Sequence, residues 1–200
     1  QYLPRFLSSG MNEKIKNMLK GLGVQNGTIF LEGCVNADDF YLWESGFRLC
    51  GAQQNIFPAY FNGVDVQKML ICHALTGKMA DENLMGKEDP YFGGNSACNG
   101  LVFLKPGKIA SIKGLDEIKG MDSIISFTQL LQTGDSVNES DVGTLNQSFA
   151  RFHAVAKNRE ELCEIIDNIF KKLVIKDESG NDMVIYSYDY NEILRNKRWA

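Results

Sequence analysis

The sequence predicts an α+β protein in two lobes, and three observations carry that prediction. Apolar residues recur at helical spacing in some segments and alternate or run together at strand length in others. The strand-like runs fall into neighbouring groups divided by turn residues, with helices set between the groups rather than after every strand. No segment repeats at a fixed period, which excludes a solenoid or a propeller.

Residues 1–11 read as an extended entry with a turn at Ser8-Ser9-Gly10. A helix is predicted over 12–21, where Ile15, Met18, Leu19 and Leu22 recur at i, i+3, i+4 and i+7. Gly21 and Gly23 end it. Two strand-like runs follow, Thr28-Ile29-Phe30-Leu31-Glu32 and Phe40-Tyr41-Leu42-Trp43-Glu44, joined by the turn-like Asn36-Ala37-Asp38-Asp39. Gly46 and Gly51 bracket Phe47-Arg48-Leu49-Cys50. The amides of such a glycine-bounded loop can approach an anion closely, and a plain turn explains the loop equally well. Gln53, Gln54 and Asn55 add uncharged polar groups that suit a bound carboxylate or a surface loop. Asp65 is placed to cap a helix running to Thr76, with Val66, Leu70, His73 and Ala74 on one stripe and Gly77 closing it.

The stretch 78–99 is charged and glycine-bearing, so the lobe boundary is expected there. Its Gly93-Gly94-Asn95-Ser96 lacks the Gly-Lys-Ser/Thr ending of a phosphate loop and reads as linker. The expected division is 1–80 for the first lobe, 81–100 for the linker and 101–200 for the second lobe. In that second lobe, strands are predicted over 101–105, 108–113 and 123–131, with a short helix at Leu115-Asp116-Glu117-Ile118. Residues 148–156 are apolar on both alternating sides, which suits a strand buried on both faces. Asn158-Arg159-Glu160-Glu161 forms a capping box for a helix to Lys172, with Leu162, Ile165, Ile166, Ile169, Phe170 and Leu173 on its apolar side. A last pair of strands, 174–176 and 183–188, flanks the turn Asp177-Glu178-Ser179-Gly180-Asn181.

Composition narrows the function classes. The 200 residues are 44% hydrophobic and 23% charged, an ordinary globular balance with room for two small lobes. A net charge of −4 argues against a nucleic-acid surface, which would be basic. No apolar run reaches membrane-spanning length, so no membrane partner is expected. The five cysteines include no Cys-x-x-Cys pair, which disfavours zinc ribbons and disulfide frameworks and points to free thiols in the cytoplasm. His73 and His153 both sit in apolar periodic segments and read as core histidines, leaving no base for a cysteine nucleophile.

The candidate chemistry lies in the hairpin. Adjacent antiparallel strands sit about 4.8 Å apart, so Glu32 and Glu44 on one face can share a cation. Mg²⁺ accepts one or two carboxylates together with phosphate oxygens. Arg48, four residues after Glu44, offers a guanidinium suited to a phosphate or a carboxylate. Solvated acids on a half-exposed hairpin are the ordinary alternative. Glu44, however, lies among Phe40, Tyr41, Leu42, Trp43 and Phe47, where a buried carboxylate would need a partner.

These residues carry a family resemblance. The segment 15–75 resembles the second half of an ATP-grasp domain: a helix, Gly27-Thr28-Ile29-Phe30-Leu31-Glu32, then Glu44…Arg48-Leu49-x-Gly51, then Tyr60-Phe61-Asn62-Gly63-Val64-Asp65 before another helix. The family pattern is a glutamate, about a dozen residues, then Glu-x-Asn-x-Arg. The Glu-x-Gly-x-Arg-Leu-x-Gly run is similar to carbamoyl-phosphate-synthase-like and amino-acid-ligase members. The resemblance implies that Glu32 and Glu44 hold Mg²⁺ on the ATP phosphates and that Arg48 contacts the acceptor or its acyl phosphate. Gly46 departs from the pattern, standing where the metal-binding Asn is usual, with water or Ser45 as substitutes.

Phe103-Leu104-Lys105-Pro106-Gly107-Lys108-Ile109 and Ala154-Val155-Ala156-Lys157-Asn158-Arg159-Glu160-Glu161-Leu162 resemble the small β-rich carboxy-terminal lobe of the same enzymes. Only Arg151 and His153 in it are candidates for chemistry. The implied fold is the second half of an ATP-grasp core followed by that lobe. The implied function is an ATP-dependent ligase that activates a small carboxylate as an acyl phosphate for attack by an amine. The family also implies a lysine-bearing strand and a glycine-rich loop before Glu32. The expectation is therefore a carboxy-terminal portion of a larger enzyme, inactive alone, with a split enzyme as the alternative. A non-catalytic nucleotide-binding piece and a subunit-interaction module, including a homo-oligomer, are the rival readings.

Overall fold

The computed structural model describes residues 6, 9–36, 39–79, 84, 86–87 and 89–186. The chain divides into two compact units, the first running to Asp89 and the second beginning at Pro90. Of the expected extended entry only Phe6 and 9–11 are described, and there Phe6 is helical rather than extended while Ser9-Gly10 make the expected turn. The centre of the hairpin turn and the end of the last strand lie outside the described residues.

The first unit opens with α1 (Met11–Gly21), which matches the predicted helix. Its apolar stripe is only partly covered: Ile15 is buried, whereas Met18 is 48% and Leu22 71% exposed. The hairpin follows as β1 (Phe30–Asn36) and β2 (Asp39–Gly46), paired antiparallel. A short helix that the sequence pattern does not reveal, α2 (Ile56–Asn62), comes next. Pro58 sits in its first turn, where the missing N–H costs nothing. Then comes α3 (Val66–Thr76), capped as expected: Asp65 Oδ1 accepts from Lys68 N at 2.9 Å, and Gly77 closes it at φ 76°.

The second unit holds the protein's main core. A four-stranded sheet runs in the order β5-β7-β3-β9, from β3 (Ser96–Leu104), β5 (Ile124–Gln129), β7 (Ser148–Ala156) and β9 (Val184–Ile185). A three-stranded sheet runs β6-β4-β8, from β4 (Gly107–Lys113), β6 (Ser136–Val137) and β8 (Val174–Asp177). β3 begins five residues ahead of the predicted 101–105 strand, since Ser96 already pairs with Ala156. The turn at Pro106-Gly107 does not make a hairpin of β3 and β4. It carries the chain from one sheet to the other, because β3 pairs with β7 and β9 while β4 pairs with β6 and β8.

β7 is the central strand and is buried along nearly its whole length, as the two-sided apolar pattern requires. Helix α5 (Arg159–Lys172) packs on β7 and β3 through Leu162, Ile165, Ile166, Ile169 and Phe170, all buried. Its cap differs in one detail from a reciprocal capping box. Asn158 Oδ1 accepts from Glu161 N at 2.8 Å, but the Glu161 carboxylate reaches one residue further and accepts from Lys157 N at 2.9 Å. The short helix α4 (Leu115–Lys119) contributes Ile118, fully buried, to the same core.

Gly114 joins β4 to α4 at φ 83°, and an added Cβ would stand 2.1 Å from the Lys172 carbonyl oxygen. Both the left-handed backbone and the rigid neighbour exclude a side chain. Gly114→Ala is therefore expected to destabilise the second unit by roughly 2–5 kcal/mol, the sum of left-handed strain and overpacking. Chemical denaturation of the wild-type and variant chains checks this.

Candidate functional site

The hairpin register decides where the two acids stand. Phe30 pairs with Gly46, Leu31 with Ser45 and Glu32 with Glu44. Residues directly opposite on an antiparallel pair share a face, with Cβ atoms about 4.5–5.5 Å apart. Glu32 and Glu44 are thus cross-strand neighbours. Immediately beyond them the register slips: Gly33 pairs with Leu42, and Trp43 is the extra residue of a β-bulge. The bulge moves Leu42 to the side opposite the acids, beside Leu31 and Gly33 in the pleat. Without it, β2 would present Glu44 and Leu42 on one face.

Both acids are exposed. The expectation that a buried Glu44 must find a partner therefore does not apply. What acts instead is the register: two carboxylates of like charge face each other, an arrangement that is unfavourable until a cation comes between them. No group of three or more His, Cys, Asp or Glu side chains is placed to hold a metal among the described residues. The donor set here is two carboxylates, which suits a hard ion that takes the rest of its ligands from water or phosphate.

Arg48 comes back to the same end of the hairpin. Its N–H donates to Gly46 O at 2.9 Å, a tight turn that reverses the chain as it leaves β2. Its Nη1 donates to Leu49 O at 3.0 Å, and its guanidinium carbon lies 4.7 Å from the centre of the Phe30 ring. Phe30 lies two residues before Glu32 on β1 and so shares its face. Arg48 makes no ion pair with either acid among the described residues.

Gly46 is where the pattern of the chain departs from the family it resembles, and the structure gives a steric account. A Cβ at Gly46 would stand 2.1 Å from the Phe30 ring. The ring occupies the space that a side chain at this position would need. A second ring does the same at the neck of the hairpin: a Cβ at Gly27, whose φ is 136°, would stand 2.1 Å from Phe47.

Gln53 lies just past this loop, with a left-handed backbone at φ 58° and its Oε1 buried without a hydrogen-bond partner among the described residues. A strained non-glycine residue with an orphan acceptor marks a constrained spot. The sequence shows the residue but not its conformation.

The second-lobe candidates fall inside the sheet. His153 is fully buried and pairs across the strands with Asn99 on β3 and Ser126 on β5. Arg151 Nη1 donates to Asn99 Oδ1 at 2.9 Å. His153 is thus the core histidine expected, while His73 is half-buried on α3. The five cysteines are free. Burial pushes the Cys98 thiol up to about 11, and Cys163 is raised by burial as well, so neither of these two is a ready nucleophile.

No protein-family model and no curated protein sequence matches the chain. Its fold does match solved structures. Phosphoribosylglycinamide synthetase from Anaerococcus prevotii aligns with a TM-score of 0.66 at 14% identity, over 83% of this chain and 41% of that one. The L-amino acid ligase from Bacillus licheniformis aligns with a TM-score of 0.66 at 16% identity, over 86% of this chain and 41% of that one. Both neighbours are ATP-grasp ligases. The chain therefore has the fold of part of an ATP-grasp ligase, α+β as expected. It spans about two-fifths of the length of each neighbour.

The opposed acids generate a test that needs no activity. Glu44→Gln is expected to raise the thermal midpoint of the chain slightly at low salt, because it removes a like-charge pair. The gain should fade above about 0.5 M salt, where exposed charges are screened. A lower midpoint at low salt would mean that the two acids do not repel one another.

Proposed function

We propose that this chain is the carboxy-terminal part of an ATP-dependent ligase that activates a carboxylate as an acyl phosphate for attack by an amine. The observation that carries the reading is the pairing of Glu32 with Glu44 on the hairpin face to which the Phe30 ring draws Arg48. The two carboxylates would hold Mg²⁺, which supplies positive charge against the β and γ phosphates of ATP. Arg48 would neutralise the transferred phosphoryl group or the acyl phosphate. Catalysis of this kind rests on positioning and charge stabilisation and needs no protein nucleophile.

The fold neighbours support the reading, and their greater length supports its second half: further polypeptide completes the nucleotide site. The first unit's surface points the same way. Among its described residues only Ile15 and Phe57 are buried apolar side chains, while Leu22, Trp43, Phe47 and Leu75 are each at least 60% exposed. Large apolar side chains left in solvent mark surfaces that another segment or subunit covers. A cytoplasmic setting belongs to the same reading, supported by the free cysteines. No helix among the described residues is long and apolar enough to cross a membrane.

One observation favours a second reading, a nucleotide-binding or subunit-interaction module without turnover. The Phe30 ring occupies the space at Gly46, so the usual third metal ligand has no side chain, and one placed there would have to displace the ring.

Two expectations separate these readings. The 200-residue chain alone should not hydrolyse ATP or ligate amino acids. Turnover by the pure chain that Glu44→Gln abolishes would show the site to be complete. In the intact enzyme, Arg48→Lys should lose about 100- to 1000-fold in kcat, with nucleotide affinity nearly kept, since Lys retains the charge but not the planar fork. Steady-state kinetics with a direct nucleotide-binding measurement check this. A change under threefold would remove Arg48 from the site and favour the module.

A further inference from the structure

The residue that stands at the departure from the family pattern is glycine, and what fills its place is an aromatic ring carried by the opposite strand. Three observations meet there. Gly46 and Phe30 are register partners, so they share a face with Glu32 and Glu44, the next pair but one along the ladder. The ring lies so close to Gly46 that any Cβ would collide with it. The Arg48 guanidinium lies 4.7 Å from the centre of that ring, within the range of a cation–π contact.

We propose that Phe30 is a positioning residue: laid against Gly46, its ring seats the Arg48 guanidinium at the face that carries the two glutamates. This rests on the reading of Glu32, Glu44 and Arg48 as the charged part of a ligase site. The two sequence features are one device. Gly46 gives up a side chain so that Phe30 can fold across β2, and the tight turn from Gly46 O to Arg48 N brings the guanidinium back over the ring. Arg48 is exposed and has no acid to hold it among the described residues, so its rotamers are limited by the ring and by the bond to Leu49 O. An arginine with many free rotamers loses entropy when it engages a phosphate, and one already seated loses less.

The effect should appear in the rate rather than in ground-state affinity, because Arg48 is assigned to the charge that develops on transfer.

The test has a spectroscopic arm on the 200-residue chain and a kinetic arm on the intact enzyme. In the chain, the Arg48 side-chain protons should be shifted upfield by the Phe30 ring in the NMR spectrum. Phe30→Leu should abolish that shift, and so should Gly46→Asn, whose side chain must displace the ring. Phe30→Tyr should keep it. An Arg48 signal at ordinary positions in the wild-type chain, or one unchanged in Phe30→Leu, overturns the proposal.

In the intact enzyme, Phe30→Leu should lower kcat about 5- to 30-fold with the affinity for Mg·ATP within threefold, and Phe30→Tyr should restore most of the rate. A purely structural role for the ring would instead move affinity and stability together. Wild-type kcat in Phe30→Leu alongside a crippled Arg48→Lys overturns the positioning role but leaves the ligase reading standing. If Arg48→Lys and Glu44→Gln are both silent, the ligase reading itself falls.

Discussion

Across the hairpin, two carboxylates are held opposite each other by backbone pairing that neither of them controls. The register Glu32 to Glu44 is fixed by the ladder from Phe30 and Gly46 inward and by the bulge at Trp43 beyond it. A slip of one residue would send one glutamate to the far side of the ribbon, because strand side chains alternate. The repulsion between the two acids is therefore built into the fold, and no described basic group relieves it. A cation between the two carboxylates, as the proposed function has it, would relieve that cost.

The two units are stabilised very differently. The second has a continuous core in which Phe149, Phe152, Leu104, Ile118, Ile169 and Leu173 are fully or almost fully buried between sheet and helix. The first has two buried apolar side chains among its described residues and a two-stranded ribbon, which is marginal in water by itself. The acids and Arg48 lie on the less buried unit. Surfaces that close around a ligand belong at the low-stability end of a protein, since they must open again. A unit with its apolar side chains uncovered is also one whose rigidity depends on what packs against it.

Local signals in the sequence are decisive where one residue type fixes one backbone event. Asp65 before Val66 and Gly77 after Thr76 bounded a helix, Asn158 with Glu161 opened another, and the unbroken apolar run from Ser148 to Ala156 gave the central strand. Long-range choices were not legible. Pro106-Gly107 looks like the turn of a hairpin, yet the strands it joins belong to different sheets, and only the partners of each strand decide that. Helix α2 leaves no signal in the sequence because its seven residues, with a proline among them, are too few to show a period. Glu32, Glu44 and Arg48 could be named from spacing, but spacing is silent about register. A bulge one residue nearer the open end would have set the acids on opposite faces without changing the pattern of letters.

Gly46 shows how a departure from a pattern acquires meaning only in three dimensions. In the sequence it is a missing ligand, and Phe30 is one more apolar residue of a strand. In the structure the two are register partners, and the ring occupies the space that a side chain at 46 would need. Neither residue can be changed alone without cost, since a side chain at 46 meets the ring and a smaller residue at 30 leaves a gap under Arg48. A second ring, that of Phe47, lies against Gly27 just outside the two strands. An aromatic side chain over a strand glycine restores the contacts that the glycine lacks and helps to pin the register of the pair. Under the proposed positioning role, glycine at 46 leaves the ring free to hold Arg48 in place. The chemistry proposed for the site asks for that property, because an arginine that must meet a short-lived charge gains more from being held in place than from one more polar neighbour.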